Sequence, residues 1–143
     1  MPIQQMLLGG GGVPPEPPGQ VVFTSTGSNS WTVPNGVTSV SVVCIGAGSD
    51  DASNHGGGGG ALAYGNNISV TPGASISLQV GLAGQQGSGN TSGSSWFVDL
   101  NTLRAGGAYA QTGGASSGSE RDGGGDGGAG AAASYWGLSL IHI

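Results

Sequence analysis

Two strand-like segments and a turn follow one another in residues 30–45, which read SWTVPNGVTSVSVVCI. β-Branched and aromatic residues are concentrated at both ends, and the second segment begins with an alternation of polar and apolar side chains, as in a strand with one buried face. Between the segments, Pro34 presets the first turn position and Asn35-Gly36 tolerates positive φ. The stretch therefore predicts a β-hairpin that turns at residues 34–36.

Six other segments have the same strand-like composition, and none between residues 20 and 105 has a helical period. They are residues 21–24, 61–64, 67–70, 75–80, 95–100 and 102–105, the last two joined by a tight turn at Asn101. The predicted fold class is all-β, a small antiparallel sandwich-like body with extended glycine-rich loops. The expected core residues are Phe23, Trp31, Val33, Val40, Val42, Ile76, Leu78, Val80, Trp96 and Val98.

The composition narrows the function classes. The chain has 33 glycines and seven prolines in 143 residues, and its net charge is −5 with only two cationic side chains. Nucleic-acid binding draws most of its free energy from cations that meet phosphates, so a nucleic-acid partner is not expected. No apolar stretch is long enough to cross a membrane as a helix, and the first residues lack a basic leader. We therefore expect an extracellular or virion-bound protein that reaches the outside without general secretion.

The chain divides into four parts by composition. Residues 1–19 form an N-terminal arm with Ile3, Met6, Leu7 and Leu8, followed by a proline-rich spacer, VPPEPPG, that should be extended. Residues 20–105 are the β-rich domain. Residues 106–136 are rich in Gly, Ala and Ser and should become ordered only if their backbone groups find partners, in the same chain or across subunits.

The last part, residues 137–143, departs abruptly from the Gly/Ala composition before it. Its final six residues, LSLIHI, match the translation of a transposon end used in sequencing libraries, so a non-native tail is the expectation. A genuine short C-terminal strand is the alternative.

The order of motifs resembles a known family. WTVPNGV at residues 31–37, the glycines of residues 56–60, VTPG at residues 70–73 and Val80-Gly81 resemble the glycine-rich domain of tail-fibre and related virion proteins of tailed bacteriophages. The resemblance covers roughly residues 20–115. It implies a structural or receptor-binding role in a virion, a β-rich body, and glycine segments that pack by backbone contacts, in the extreme case as stacked polyglycine II strands.

Catalytic and ligand-binding patterns are weak. Gly46-Ala47-Gly48 lacks the third glycine and the helix of a dinucleotide site, and Asp122 and Asp126 do not have the spacing of a repeated calcium loop. The lone Cys44 permits no intramolecular disulfide and should be buried. Because no nucleophile, base and orienting acid can be placed together, the chain is expected to be no enzyme and to need no cofactor or metal.

Contact residues can still be proposed. Tyr64 and Tyr109 lie beside glycine runs that leave their rings uncovered, and His55 lies in a loop at the start of such a run, where an ordinary solvated residue is the simpler interpretation. A host-surface saccharide or protein is the expected partner for these residues. The leading hypothesis is a tail-fibre or fibre-tip component that works with other virion subunits as a homo-oligomer. The alternative is an extracellular filament subunit whose Ile3, Met6, Leu7 and Leu8 dock on a neighbour.

Overall fold

The computed structural model describes residues 19–50, 56–83 and 93–130. Within these ranges the chain is all-β and contains no helix, which confirms the predicted fold class. The strands are β1 (Gly27–Thr32), β2 (Ser39–Ile45), β3 (Leu62–Ser69), β4 (Ser75–Val80), β5 (Ser95–Phe97), β6 (Leu103–Ala105), β7 (Ser116–Ser117) and β8 (Gly123–Gly125).

These strands form two antiparallel sheets that do not close into a barrel. The larger sheet has the order β1-β4-β5-β6-β7, and the smaller has the order β2-β3-β8. β2 packs over β5 and β6, while β3 packs over β6 and β7. The smaller sheet therefore covers only the part of the larger sheet that β5, β6 and β7 form.

The turn at residues 34–36 does not make a hairpin, so that prediction was wrong. The turn itself is present, with Val37 N donating to Pro34 O at 3.2 Å, but the chain crosses there from one sheet to the other. Val33 explains why: its amide donates to Ala74 O at 2.9 Å and its carbonyl accepts from Gly73 N at 2.8 Å. β1 is thus already paired with β4 when the turn begins.

One long strand, β3, replaces the two predicted at residues 61–64 and 67–70. The register with β2 shifts between Val40 and Val42, opposite Asn67, whose φ is 56°. Asn is among the few residues that adopt this left-handed conformation readily, so the irregularity is accommodated without ending the strand. Gly65 lies buried beside it, where a Cβ would meet the carbonyl of Glu120.

The core lies between the sheets. It contains Cys44, Ala61, Ala63, Ile68, Leu78, Phe97, Leu103 and Ala105, with Phe23, Trp31, Val40, Val42, Val70, Ile76 and Val80 packed against it. Val33 is also buried.

Two residues predicted for the core lie outside it. In β5 the buried side chains are Ser95 and Phe97, so Trp96 points to the opposite face of the sheet. The predicted alternation of buried and exposed residues was therefore displaced by one residue. Val98 is 40% exposed and has a φ of 70°, because the strand ends at Phe97 and the chain turns.

Three further segments differ from the predicted pattern. Residues 21–24 form no strand, although Phe23 packs against the core. The predicted strand of residues 95–100 ends at Phe97. The predicted tight turn at Asn101 is present, and Asp99 Oδ1 accepts there from the amides of Asn101 and Thr102 at 2.8 and 2.7 Å. Past residue 105 the sheets continue, since β7 pairs with β6 and β8 pairs with β3.

Candidate interaction surface

Four segments meet at the end of the sheets where β2, β6 and β8 finish and β3 begins. We call them the glycine bundle, residues 46–49, 56–61, 106–115 and 126–130. Gly58 donates to segment 106–115 and accepts from segment 46–49, whereas Gly59 donates to segment 126–130 and accepts from segment 106–115, all at 2.8 to 3.0 Å. A β-strand bonds to two neighbours in one plane, but segment 56–61 bonds to three. The hydrogen bonds of this segment therefore run in more than one direction.

The bundle depends on the missing Cβ atoms. A Cβ placed on Gly60 would overlap the carbonyl of Gly46, and one placed on Gly127 would overlap the carbonyl of Gly59. Because the obstructing atoms belong to the backbone, no side-chain rotation could relieve the contact. Glycine at these positions is therefore a condition of the packing.

The bundle holds the turn of residues 108–112, which carries Tyr109. Tyr109 and Thr112 exchange two backbone hydrogen bonds, of 2.9 and 2.7 Å, that close the turn. Ala110, with a φ of 46°, directs its carbonyl at the amide of Gly58 and at the hydroxyl of Ser49. Tyr109 is half-buried. The turn is thus fixed by hydrogen bonds to the rest of the bundle as well as by its own.

Two aspartates fix β8, which has no side chains of its own. Asp122 Oδ2 accepts from Asn66 N at 2.6 Å, and Asp126 Oδ1 accepts from the amide and hydroxyl of Ser116 at 2.8 and 2.9 Å. The hydrogen bond from the Ser116 amide, followed by that from its hydroxyl, lowers the pKa of Asp126. Both carboxylates therefore attach β8 to its neighbours. The described residues contain no group of three His, Cys, Asp or Glu side chains that could hold a metal ion.

An exposed apolar patch lies on the outer face of the smaller sheet. Val43 pairs with Tyr64 across β2 and β3, and Ile45 pairs with Leu62. The exposed fractions are 64% for Val43, 65% for Ile45, 41% for Leu62 and 38% for Tyr64. The Tyr64 ring lies against the backbone of Gly123, where a Cβ would collide with it. We call these four side chains the outer patch.

An open cleft of about 1530 Å³ lies on the other side of β2, above β1 and β4. No strand of the smaller sheet packs closely over these two strands in the described part of the chain. Apolar side chains line the cleft, and the described residues that line it include no charged side chain. The apolar lining side chains include those of Phe23, Trp31, Val40, Val42, Leu78, Val80 and Phe97.

The edge of β2 beside this cleft is unpaired among the described residues. The bond from Gly46 N to Ala61 O, at 2.8 Å, sets the phase of the ladder. Because ladder bonds alternate along antiparallel strands, Cys44 and Val42 bond to β3, and Val43 directs its amide and carbonyl away from it. The far end of this edge is closed, since Ser95 Oγ donates to Ile45 O at 2.6 Å.

Comparison with known proteins supports the importance of the glycines. A family model described as a glycine-rich domain matches residues 24–138. The chain belongs to this family. Comparison with curated proteins and with solved structures finds no significant match. The glycine-rich domain includes both sheets and the whole glycine bundle.

The two predicted contact residues that the structure describes, Tyr64 and Tyr109, lie in different parts of the glycine-rich domain. Tyr64 belongs to the outer patch on β3, while Tyr109 lies in a turn of the glycine bundle. His55 and the arm residues Ile3, Met6, Leu7 and Leu8 lie outside the described residues. The sequence DGGGD at residues 122–126 was a usable signal for β8, because two carboxylates flank a segment that can make only backbone contacts.

Cys44 is buried in β2, which confirms the prediction made for it. Burial raises the pKa of its thiol to about 11, so the thiolate is scarce at neutral pH. The described part of the glycine-rich domain also contains no helix long and apolar enough to cross a membrane.

Proposed function

We propose that this chain is a structural protein of a bacteriophage virion, a tail-fibre or fibre-tip component that contacts the host surface outside the cell. The observation that carries the proposal is the fixed turn at residues 108–112. A binding loop loses less entropy on contact when its backbone is already held in place. The half-buried Tyr109 lies in such a turn, together with the polar residues Gln111 and Thr112.

Two further features support this proposal. Motifs such as WTVPNGV and VTPG resemble glycine-rich domains of phage tail-fibre proteins, and the chain belongs to a glycine-rich domain family. An aromatic ring with a polar tip, next to amide and hydroxyl groups, suits a saccharide or a protein surface. Tyr64 in the outer patch is a second contact candidate on the same grounds.

Particles that carry Tyr109→Ala test the proposal. Loss of an aromatic contact residue should slow adsorption to host cells by about tenfold or more. Tyr109→Phe is the matched control, because it keeps the ring and should adsorb close to the wild-type rate if stacking dominates. Mass spectrometry of purified particles checks that both variants are incorporated. Normal incorporation with unchanged adsorption for Tyr109→Ala and for Tyr64→Ala would contradict host contact by these residues, and absence of the chain from virions would contradict the virion role.

The second candidate function is a subunit of a self-assembling extracellular filament. The specific observation that favours it is the unpaired edge of β2 beside an apolar cleft. An exposed edge of this kind is where added strands dock in many assemblies. Electron microscopy of the purified protein separates the two candidates, because regular filaments without any other virion component favour the second.

A further inference from the structure

The cleft leaves room for one strand between the edge of β2 and the segment of residues 19–26, which also lines it. β1 and β4 continue the larger sheet beyond the point where the smaller sheet stops at β2. A segment placed beside β2 would meet the outward backbone groups of Val43 on one side. On its lower face it would cover the half-buried apolar side chains of Trp31 and Val80. Backbone pairing and burial would thus act on the same segment.

The shape of this position excludes a second folded domain as the occupant. Pairing of two β2 edges in one continuous antiparallel sheet would place the larger sheets of both copies on the same side. Because β1 and β4 project beneath the edge, the two larger sheets would then collide. The projection is only two strands wide, or about 10 Å. A single extended segment fits there, whereas a second sandwich does not.

We propose that the occupant is the N-terminal arm of a second copy of this chain, with Ile3 and Leu7 as its apolar anchors. Eighteen residues precede Gly19, which itself lines the cleft, and the first eight, MPIQQMLL, contain no charged side chain. This matches a cleft whose described lining residues carry no charge. Residues 3 and 7 share one face of an extended segment, because side chains alternate along a strand.

The sequence between the arm and the cleft is long enough for the arm to reach a second copy. Residues 13–18 read VPPEPP, which favours an extended spacer of about 3 Å per residue, or nearly 20 Å in all. Such a spacer, to which the four glycines of residues 9–12 join the arm, gives the arm the reach to dock on a neighbour. Each copy would give one arm and receive one, so the contact propagates from subunit to subunit. It does not depend on what the assembled protein attaches to.

The test begins with variants of the full chain, followed by sedimentation velocity over a range of concentrations. In the edge variant Val43→Pro, the lost amide is one that faces away from β3, so the sheet keeps its ladder bonds. The arm variant carries Ile3→Asp and Leu7→Asp. Each should weaken self-association by about tenfold or more. The matched controls, Val43→Thr and the pair Ile3→Val with Leu7→Met, should assemble like the wild type.

Mixing the two defective variants gives the decisive result. The edge variant still has an intact arm and the arm variant still has an intact edge, so together they should form a one-to-one pair that native mass spectrometry detects. Neither variant should assemble alone. The proposal is overturned if both variants assemble as the wild type does, or if their mixture forms no pair.

Hydrogen exchange at the Val43 amide gives a second measurement in the unmodified strand, useful if Val43→Pro does not fold. Protection that rises with protein concentration and is lost in the arm variant supports docking between copies. Protection that is independent of concentration shows that the arm folds back onto its own chain and overturns the role of the second copy. None of these measurements uses host cells, so their failure would leave the attachment proposal standing.

Discussion

In the two sheets, side chains fill the space between backbones, whereas in the glycine bundle the backbones fill it themselves. Leu103 and Phe97 are buried between the sheets among other apolar side chains. At Gly60 and Gly127, by contrast, the nearest neighbours are peptide carbonyls. The sheets gain stability from apolar burial, and the bundle gains it from hydrogen bonds and close backbone contact.

This difference predicts opposite sensitivities. A buried side chain in the sheets can be shortened only at the cost of lost contacts and a cavity. A Cβ can be added to a close-packed glycine of the bundle, such as Gly60 or Gly127, only by moving a backbone. The sheets should therefore be most sensitive to removal of atoms, and the bundle to their addition.

The largest expected effect comes from one added methyl group in the bundle. Gly60→Ala should lower the free energy of unfolding by about 4 kcal/mol or more, above the usual cost of overpacking, because its Cβ meets the Gly46 backbone. Gly128→Ala is the matched control, since a Cβ there meets nothing within 4 Å. It should change stability by less than about 1 kcal/mol. Urea unfolding followed by tryptophan fluorescence measures the free energy of unfolding of both variants. Equal values would contradict the proposed difference between the bundle and the sheets.

The next effect comes from removing atoms in the sheets. Leu103 is fully buried at the centre of the core, so Leu103→Ala should cost about 3 kcal/mol. Leu82→Ala, at an exposed position, should change the free energy of unfolding by less than about 0.5 kcal/mol. The same urea titration compares the two. A Leu103→Ala protein as stable as Leu82→Ala would mean that the sheets do not rely on this core.

The sequence predicted the sheets better than their connections. Alternation in residues 75–80 placed Leu78 correctly on the buried face, because period-two burial is a local property. The partner of each strand is not local. The turn at residues 34–36 is compatible both with a hairpin and with a crossing, and only the pairing of β1 with β4 decides between them.

The sequence predicted that backbone groups would hold the glycine bundle together, but not which segments would pair. Residues 106–136 were expected to become ordered if their backbone groups found partners, and residues 106–130 find them within the same chain. Glycine has no side-chain pattern from which register could be derived, so neither β8 nor the turn with Tyr109 was identified as such. The cleft was missed because it depends on where β2 ends the smaller sheet, a tertiary feature.

A smaller effect should follow from the aspartate that joins β8 to β7. Asp126→Ala removes the acceptor for the Ser116 amide and hydroxyl, so the melting temperature at pH 7 should fall, by less than in Leu103→Ala. The pKa of Asp126 is lowered from 3.8 in the folded state, so its contribution is present above that value and is lost as pH falls below it. The difference between variant and wild type should therefore disappear in strong acid. Asp50→Ala, at an exposed position, should show no such difference at either pH.

The smallest effect at neutral pH concerns Cys44, which reports on the sheets from inside β2. Since burial raises its pKa from 9.0 to about 11, the folded thiol keeps its proton while the unfolded thiol ionises. Its contribution to stability is complete below pH 9 and is lost as pH rises toward 11, so pH 7 shows none of this change. At pH 8 the thiolate fraction, and with it the rate of iodoacetamide alkylation, should be about 100-fold lower than in urea.

The same reaction shows whether the two regions unfold together. Cys44 lies two residues before Gly46, whose carbonyl the Gly60→Ala substitution would displace, so opening of the bundle should spread into β2. We therefore expect faster alkylation in Gly60→Ala than in Gly128→Ala under native conditions. Equal rates, with the lower stability of Gly60→Ala confirmed in urea, would instead mean that the sheets stay closed when the bundle opens. The side-chain core and the backbone bundle would then be separate cooperative units.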